Sequence, residues 1–167
     1  GGGDAPAQAS AAPVIEFYGD SLTFGSIEGP ASTLTRLAVP PVRRAQELLG
    51  AAALCVDLSL PGATVADALA GAAMMPFSAF AQHVSATAAS TLVIRYGGAD
   101  ALRGTPLAAF ERDLGAMVTQ AQAAGKRVLL VGVIATATGE TDDFDLAVER
   151  TADAHGTGFV DVRAVPY

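Results

Sequence analysis

Apolar positions along the chain alternate between short continuous runs and longer stretches with helical spacing. Five runs are rich in β-branched and aromatic residues, as is typical of strands; they cover residues 14–18, 53–58, 91–96, 128–134 and 159–162. Between them, apolar residues recur every three or four positions, as on one face of a helix, over residues 42–49, 64–73, 107–121 and 144–152. The pattern therefore predicts strands and helices in alternation.

Such alternation favours a parallel sheet with helices on both faces. The run 128–134 is apolar almost throughout, as in strands that are buried on both sides. We predict an α/β fold, a three-layer α/β/α sandwich with about five parallel strands. Residues 14–167 form its one domain, and residues 1–13, rich in Gly, Ala and Pro, are predicted to be a flexible tether.

The tether and the missing initiator Met point to a leader that has been removed, and hence to an exported protein, either secreted or a bacterial lipoprotein. The alternative is that Gly1–Gly3 remain from cloning. No apolar run approaches the 18–20 residues of a membrane span. Membrane contact is therefore expected only through an N-terminal lipid anchor.

Charge and composition narrow the function classes. Ten Lys and Arg against 17 Asp and Glu give a net charge of −7, which argues against nucleic-acid binding because phosphate contacts need clustered cations. One Cys excludes an internal disulfide and Cys-rich metal sites, and two His leave little room for a His-rich one. We expect no metal and no cofactor.

Ligands of open parallel sheets bind beyond the carboxyl ends of the strands, where the chain places small, polar, Gly-rich loops at 19–23, 59–64, 97–100 and 135–138. Ser21, directly after the first strand and a Gly-Asp turn, is the best candidate nucleophile. A serine needs a neighbouring base and donors for the oxyanion. The structural alternative is a strand-ending turn in which Asp20 or Ser21 caps the next segment.

Other candidates have two interpretations each. Arg95 binds a substrate anion or pairs with a carboxylate, and Asp100 orients a loop, binds a metal or caps a helix. The acidic run 142–145 serves a helix N-terminus or a weakly bound cation. Residues 74–77 and Phe80 line an acyl pocket or cover the core.

Three of these loops carry a resemblance. Residues 15–25 read Ile-Glu-Phe-Tyr-Gly-Asp-Ser-Leu-Thr-Phe-Gly and closely resemble the first block of the SGNH (GDSL-type) hydrolases. Residues 61–64, Pro-Gly-Ala-Thr, look like the second block, and residues 97–100 stand where the third, Gly-x-Asn-Asp, belongs. The resemblance covers residues 14–162. It implies a flavodoxin-like fold and a serine esterase, lipase, thioesterase or carbohydrate deacetylase acting on a small-molecule ester.

The resemblance also implies roles. Ser21 becomes the nucleophile and first oxyanion donor, with Asp20 beside it, and Gly62 supplies a second N–H. The third-block positions are Gly97, Gly98, Ala99 and Asp100. Apart from the resemblance, we expect substrate contacts from residues at or just beyond the strand ends: Thr23, Thr64, Arg95 and Thr136.

Two departures from the family pattern stand out. Ala99 occupies the position of the oxyanion Asn, so a backbone N–H of Gly98 or Ala99, or the Thr136 side chain, would have to compensate. The last block, Asp-x-x-His, is absent from the chain. His83 and His155 both precede strands, which puts them at the amino edge of the sheet.

These departures leave two hypotheses open. In the first, the protein is an ester hydrolase whose general base comes from residues beyond Tyr167, and this domain, incomplete at its C-terminus, has little activity by itself. In the second, it is a degenerate SGNH-like domain that binds a glycan or an acyl ligand. A phosphate binder is a weaker third, because no Walker or dinucleotide glycine pattern occurs.

Overall fold

A computed structural model describes residues 11–164. Its strands are β1 (Val14–Gly19), β2 (Ser26–Glu28), β3 (Leu34–Arg36), β4 (Leu54–Asp57), β5 (Thr91–Arg95), β6 (Arg127–Val131) and β7 (Gly158–Val160). Its helices are α1 (Ser21–Phe24), α2 (Pro41–Leu49), α3 (Val65–Ala70), α4 (Phe80–Ala86), α5 (Gly98–Leu102), α6 (Leu107–Ala123) and α7 (Asp142–His155). None of these helices is long and apolar enough to span a membrane.

Five of the strands form one parallel sheet in the order β4-β1-β5-β6-β7, and β2 and β3 form a separate hairpin. In the sheet, Tyr18, Ile94 and Leu130 share one row and are fully buried. They belong to the core, in which α3, α4 and α7 all pack around α6. The opposite face carries α2, which packs against β4. The predicted flavodoxin-like α/β fold with five parallel strands is confirmed.

The strand boundaries differ from those predicted where a side chain, rather than a neighbouring strand, accepts the backbone hydrogen bond. The fourth sheet strand ends at Val131 rather than at residue 134, because the Val133 N–H donates to the Asp145 carboxylate at 2.8 Å instead of to a strand. The hairpin and α4 did not show in the pattern at all. Of the predicted tether, residues 1–10 lie outside the described part, and residues 11–13 are exposed.

A buried carboxylate ties β1 to the helical layer. Glu16 is only 4% exposed and accepts hydrogen bonds from Tyr18 and Thr87, with His83 Nε2 at 2.8 Å. Burial works to raise the pKa of Glu16, but the hydrogen bonds from Thr87, Tyr18 and His83 bring it below its ordinary value. The cluster explains how an acidic residue is accommodated in a central strand.

The outer edge of β4 is occupied by a side chain. Gln46 of α2 accepts a hydrogen bond from the Cys55 N–H at 2.7 Å and donates to the carbonyls of Ala53 and Gly50, both at 2.9 Å. One amide thus satisfies two backbone carbonyls before β4 and one backbone N–H within it.

Candidate active site

Ser21 lies at the start of α1, immediately beyond the carboxyl end of β1. Asp20 caps this single-turn helix, since its carboxylate accepts the Leu22 N–H at 3.1 Å. Gly25, in the left-handed conformation, ends it. A helix start directly after a strand presents the serine at the sheet edge where ligands of this fold bind.

Asp20 also reaches the third-block loop. Its second carboxylate oxygen accepts the Ala99 N–H at 3.0 Å, and the side chain is almost fully buried. Burial raises the pKa of the Asp20 carboxyl, while the N–H groups of Ala99 and Leu22 and the charge of Arg95 oppose that rise. These contacts show Asp20 joining the serine loop to α5.

α5 and the residue after it hold the second-block loop as well. Asp100 accepts the Val65 N–H at 3.3 Å, and Arg103 Nη1 donates to the Gly62 carbonyl at 3.1 Å and to Asp67 at 3.0 Å. The loops bearing Ser21, Gly62 and Ala99 are therefore linked by side-chain bonds through one short helix.

A cleft of about 150 Å³ opens beside Ser21. Among the residues predicted for the site, it brings Asp20, Gly98, Ala99 and Thr136 together with the serine. The rest of its lining is mainly apolar: Leu22, Leu102, Val133, Ile134 and Thr141. Its chemistry is that of a hydroxyl in a small, mostly apolar pocket.

Six of the predicted residues do not line the Ser21 cleft: Thr23, Gly62, Thr64, Arg95, Gly97 and Asp100. Gly62 borders a neighbouring cleft of about 270 Å³ together with Asp67 and Arg103. Thr23 and Arg95 line a cavity of about 130 Å³ with residues of the sheet. Thr64 is the N-cap of α3 in a capping box with Asp67. A larger cleft of about 540 Å³ lies along β4, lined in part by Arg36 and Arg43.

The groups suggested as substitutes for the oxyanion Asn differ in availability. The Ala99 N–H is already bonded to Asp20. Thr136 lines the Ser21 cleft, where its hydroxyl accepts the Glu140 N–H at 3.1 Å. That hydroxyl keeps its own proton for donation.

Both histidines have partners away from Ser21. His83 pairs with Glu16, which is three residues before the end of β1, roughly 10 Å at 3.3 Å per residue. His155, the last residue of α7, has Nδ1 2.9 Å from the Thr151 carbonyl.

The methionine and phenylalanine candidates divide between the two interpretations. Phe77 and Phe80 are buried in the core, where both rings stack edge-on against Tyr18. Met74 is 78% exposed and, with Met75, lines the cleft beside Gly62. In residues 11–164 no group of three or more His, Cys, Asp and Glu is arranged to hold a metal ion.

Gly97 is required by its surroundings. Its φ of +125° is unfavourable for other residues, and an added Cβ would lie 2.6 Å from Val133 Cγ2, in the wall of the Ser21 cleft. We expect Gly97→Ala to lower the free energy of unfolding by about 2–5 kcal/mol, from backbone strain plus overpacking. Urea denaturation followed by circular dichroism measures the change.

Gly104→Ala is the matched control. Gly104 also has a positive φ, +74°, but no atom lies within 4 Å of the place that an added Cβ would occupy, so backbone strain alone should cost about 1–2 kcal/mol. Equal losses in the two variants would contradict the close contact with Val133.

The chain is similar to one protein family and to several solved structures. Residues 17–166 match the model of the GDSL-like lipase/acylhydrolase family. No curated protein matches the chain. Similar solved structures include an aryl esterase of M. smegmatis, with 18% identity and a TM-score of 0.74 over 93% of this chain and 86% of that one.

Two other solved structures show the same fold. A carbohydrate acetylesterase from Sinorhizobium meliloti has 16% identity and a TM-score of 0.70, covering 88% of this chain and 82% of that one. The esterase EstA from Pseudoalteromonas, solved with monoethylphosphonate as inhibitor, has 18% identity and a TM-score of 0.67, covering 88% and 75%. Because the family model matches residues 17–166, nearly the whole domain, the chain belongs to the GDSL-like lipase/acylhydrolase family.

Proposed function

We propose that this protein hydrolyses carboxylic esters through an acyl-enzyme on Ser21. The observation that carries the proposal is the position of Ser21 at the head of α1, beyond a parallel strand and beside a small, mainly apolar cleft. Family membership supports the reaction class.

In the proposed reaction, Ser21 Oγ attacks the ester carbonyl carbon while a base takes its proton. The oxyanion is stabilised by the Ser21 and Gly62 N–H groups. Collapse breaks the carbon–oxygen bond and releases the alcohol, which receives the proton. Water then attacks the acyl-enzyme, so that the carboxylic acid leaves and Ser21 is restored.

A fluorophosphonate probe tests the nucleophile. The probe should phosphonylate Ser21 with loss of fluoride, and Ser21→Ala should abolish the labelling. Ser59→Ala is the control, because Ser59 lies at the same edge of the sheet but donates its hydroxyl to Asp57. Peptide mass spectrometry locates the label; a folded protein that takes up none, even with imidazole added as the base, would overturn the nucleophile assignment.

The base is proposed to come from residues after Tyr167, because His83 and His155 have their partners elsewhere. We therefore expect slow hydrolysis of p-nitrophenyl acetate by the 167-residue protein, and a rise of about tenfold with added imidazole, since a positioned general base contributes ~10²–10⁴ and a diffusing one recovers part of that. Ser21→Ala corrects for hydrolysis by imidazole itself. Fast Ser21-dependent turnover without imidazole, lost in His83→Gln, would contradict this origin of the base.

Ala99 in the third block favours the second candidate, a domain that binds a glycan or acyl ligand without catalysis, because alanine has no side-chain donor. The two functions predict different results with the same probe. Binding of a short-chain acyl ester without phosphonylation of Ser21 is the result expected for the binding domain.

A further inference from the structure

Arg163 reaches back from the segment after β7 to the loop that joins β6 to α7. Its Nε donates to the Val133 carbonyl at 2.9 Å. Its Nη2 lies 3.0 Å from Thr141 Oγ1 and 3.5 Å from the Ile134 carbonyl, and its Nη1 is 2.5 Å from Asp142. Three nitrogens of one guanidinium thus bind four residues of the same loop and helix start.

A second charged residue, Asp145, also binds this loop. Asp145, only 8% exposed, accepts the Val133 N–H at 2.8 Å through one oxygen and lies 3.4 Å from Arg163 Nε through the other. The Thr141 hydroxyl donates to the Ile134 carbonyl at 2.6 Å. Because Arg163 and Asp145 neutralise each other, the loop keeps its hydrogen bonds without an uncompensated buried charge.

Three residues held in this way form one wall of the Ser21 cleft: Val133, Ile134 and Thr141. Arg163 itself is not among the lining residues. We propose that Arg163 is a positioning residue that fixes this wall, and thereby determines which substituents of an ester fit beside Ser21. The inference rests on the proposed function, because it assigns Ser21 the reacting atom.

A lysine cannot reproduce these contacts. The guanidinium presents planar, fixed donors that bind several acceptors at once, whereas an ammonium is a compact point charge on a flexible stem. Arg163→Lys is expected to keep an ion pair with Asp142 or Asp145 and to lose part of the hydrogen bonding to the Val133 and Ile134 carbonyls. Arg163→Met loses all of it.

Labelling kinetics test the wall. We expect Arg163→Met to change the preference between a methyl and an isopropyl fluorophosphonate by about tenfold, since small displacements of a positioning wall have large rate effects, and Arg163→Lys to fall between it and the parent. Arg150→Met is the matched control, because Arg150 makes a two-pronged ion pair with Glu111, at 2.9 Å for each bond, outside the cleft.

Hydrogen exchange gives a readout without chemistry. The amides of residues 132–141 should exchange about tenfold faster in Arg163→Met, or in Arg163→Lys if the first variant does not fold, and unchanged in Arg150→Met. If the parent is labelled but Arg163→Met has the same probe preference and the same loop exchange as Arg150→Met, the role of Arg163 alone is overturned. Absence of labelling in the parent, with imidazole added as the base, would overturn the proposed function and this inference with it.

Discussion

Replacing Ala99 with asparagine is expected to raise the rate of Ser21 phosphonylation and of ester hydrolysis by about 10²–10³, the usual effect of one oxyanion donor. Ala99 lies in the first turn of α5 and lines the 150 Å³ cleft beside Ser21. Its own N–H is bonded to Asp20 and is not free to replace the missing side chain. An asparagine amide there would add a donor without disturbing the backbone bond.

Ala99→Leu controls for the added bulk, because leucine resembles asparagine in shape and has no donor. The measurement is the second-order rate constant for phosphonylation, with p-nitrophenyl acetate hydrolysis as a second assay. If asparagine and leucine give the same rate as the parent, the oxyanion already has its full set of donors, with Thr136 as the first candidate among the described residues.

Asp100→Asn is expected to stabilise the protein at neutral pH but not in acid. Burial, with the charges of Asp20 and Asp67, raises the pKa of Asp100 from 3.8 to about 6, against the hydrogen bond from the Val65 N–H. A folded-state pKa above the unfolded value means that the folded protein holds the proton more tightly. The contribution of protonated Asp100 to the free energy of unfolding is fully present below pH 3.8 and is lost as the pH rises through 6.

The expected size follows from the same values. A difference of about 2 pH units corresponds to ~3 kcal/mol at 1.36 kcal/mol per unit. The gain of Asp100→Asn over the parent should therefore be about 3 kcal/mol larger at pH 7.5 than at pH 3.5, whatever pH-independent packing change accompanies it. Urea titrations at both pH values, with exposed Asp153→Asn as control, measure it; a gain that does not depend on pH would contradict a buried ionised Asp100.

The strands and the serine loop were predictable because their signals are local. The run before Gly19 and the turn at Asp20 each depend on neighbours within a few positions. The hairpin gave no such signal: its strands are three residues long, and its turn has Ala31 and Ser32 at a φ of +58°, a conformation typical of glycine.

The side-chain hydrogen bonds that connect the loops of the site could not be predicted from the sequence, because they join distant residues. Arg103 meets Gly62 across 41 residues, and Arg163 meets Val133 across 30. No pattern in the sequence indicates which residue an arginine after a helix or strand will bond to. Thr23 and Arg95 were expected to contact substrate, yet both line a separate cavity. Arg95 ends β5, where alternate residues face opposite sides of the sheet, and Thr23 is a buried residue of α1.

The amide of Gln46 has a consequence for how this protein behaves in a crowded solution. An exposed edge strand is a template on which a second chain can add a strand, and hence a starting point for aggregation. The Cys55 N–H and the Ala53 carbonyl, which would receive such a strand, are already bonded to Gln46. At the other edge, β7 has only three residues. The sheet is thereby protected from intermolecular growth at one side by a side chain and at the other by its shortness.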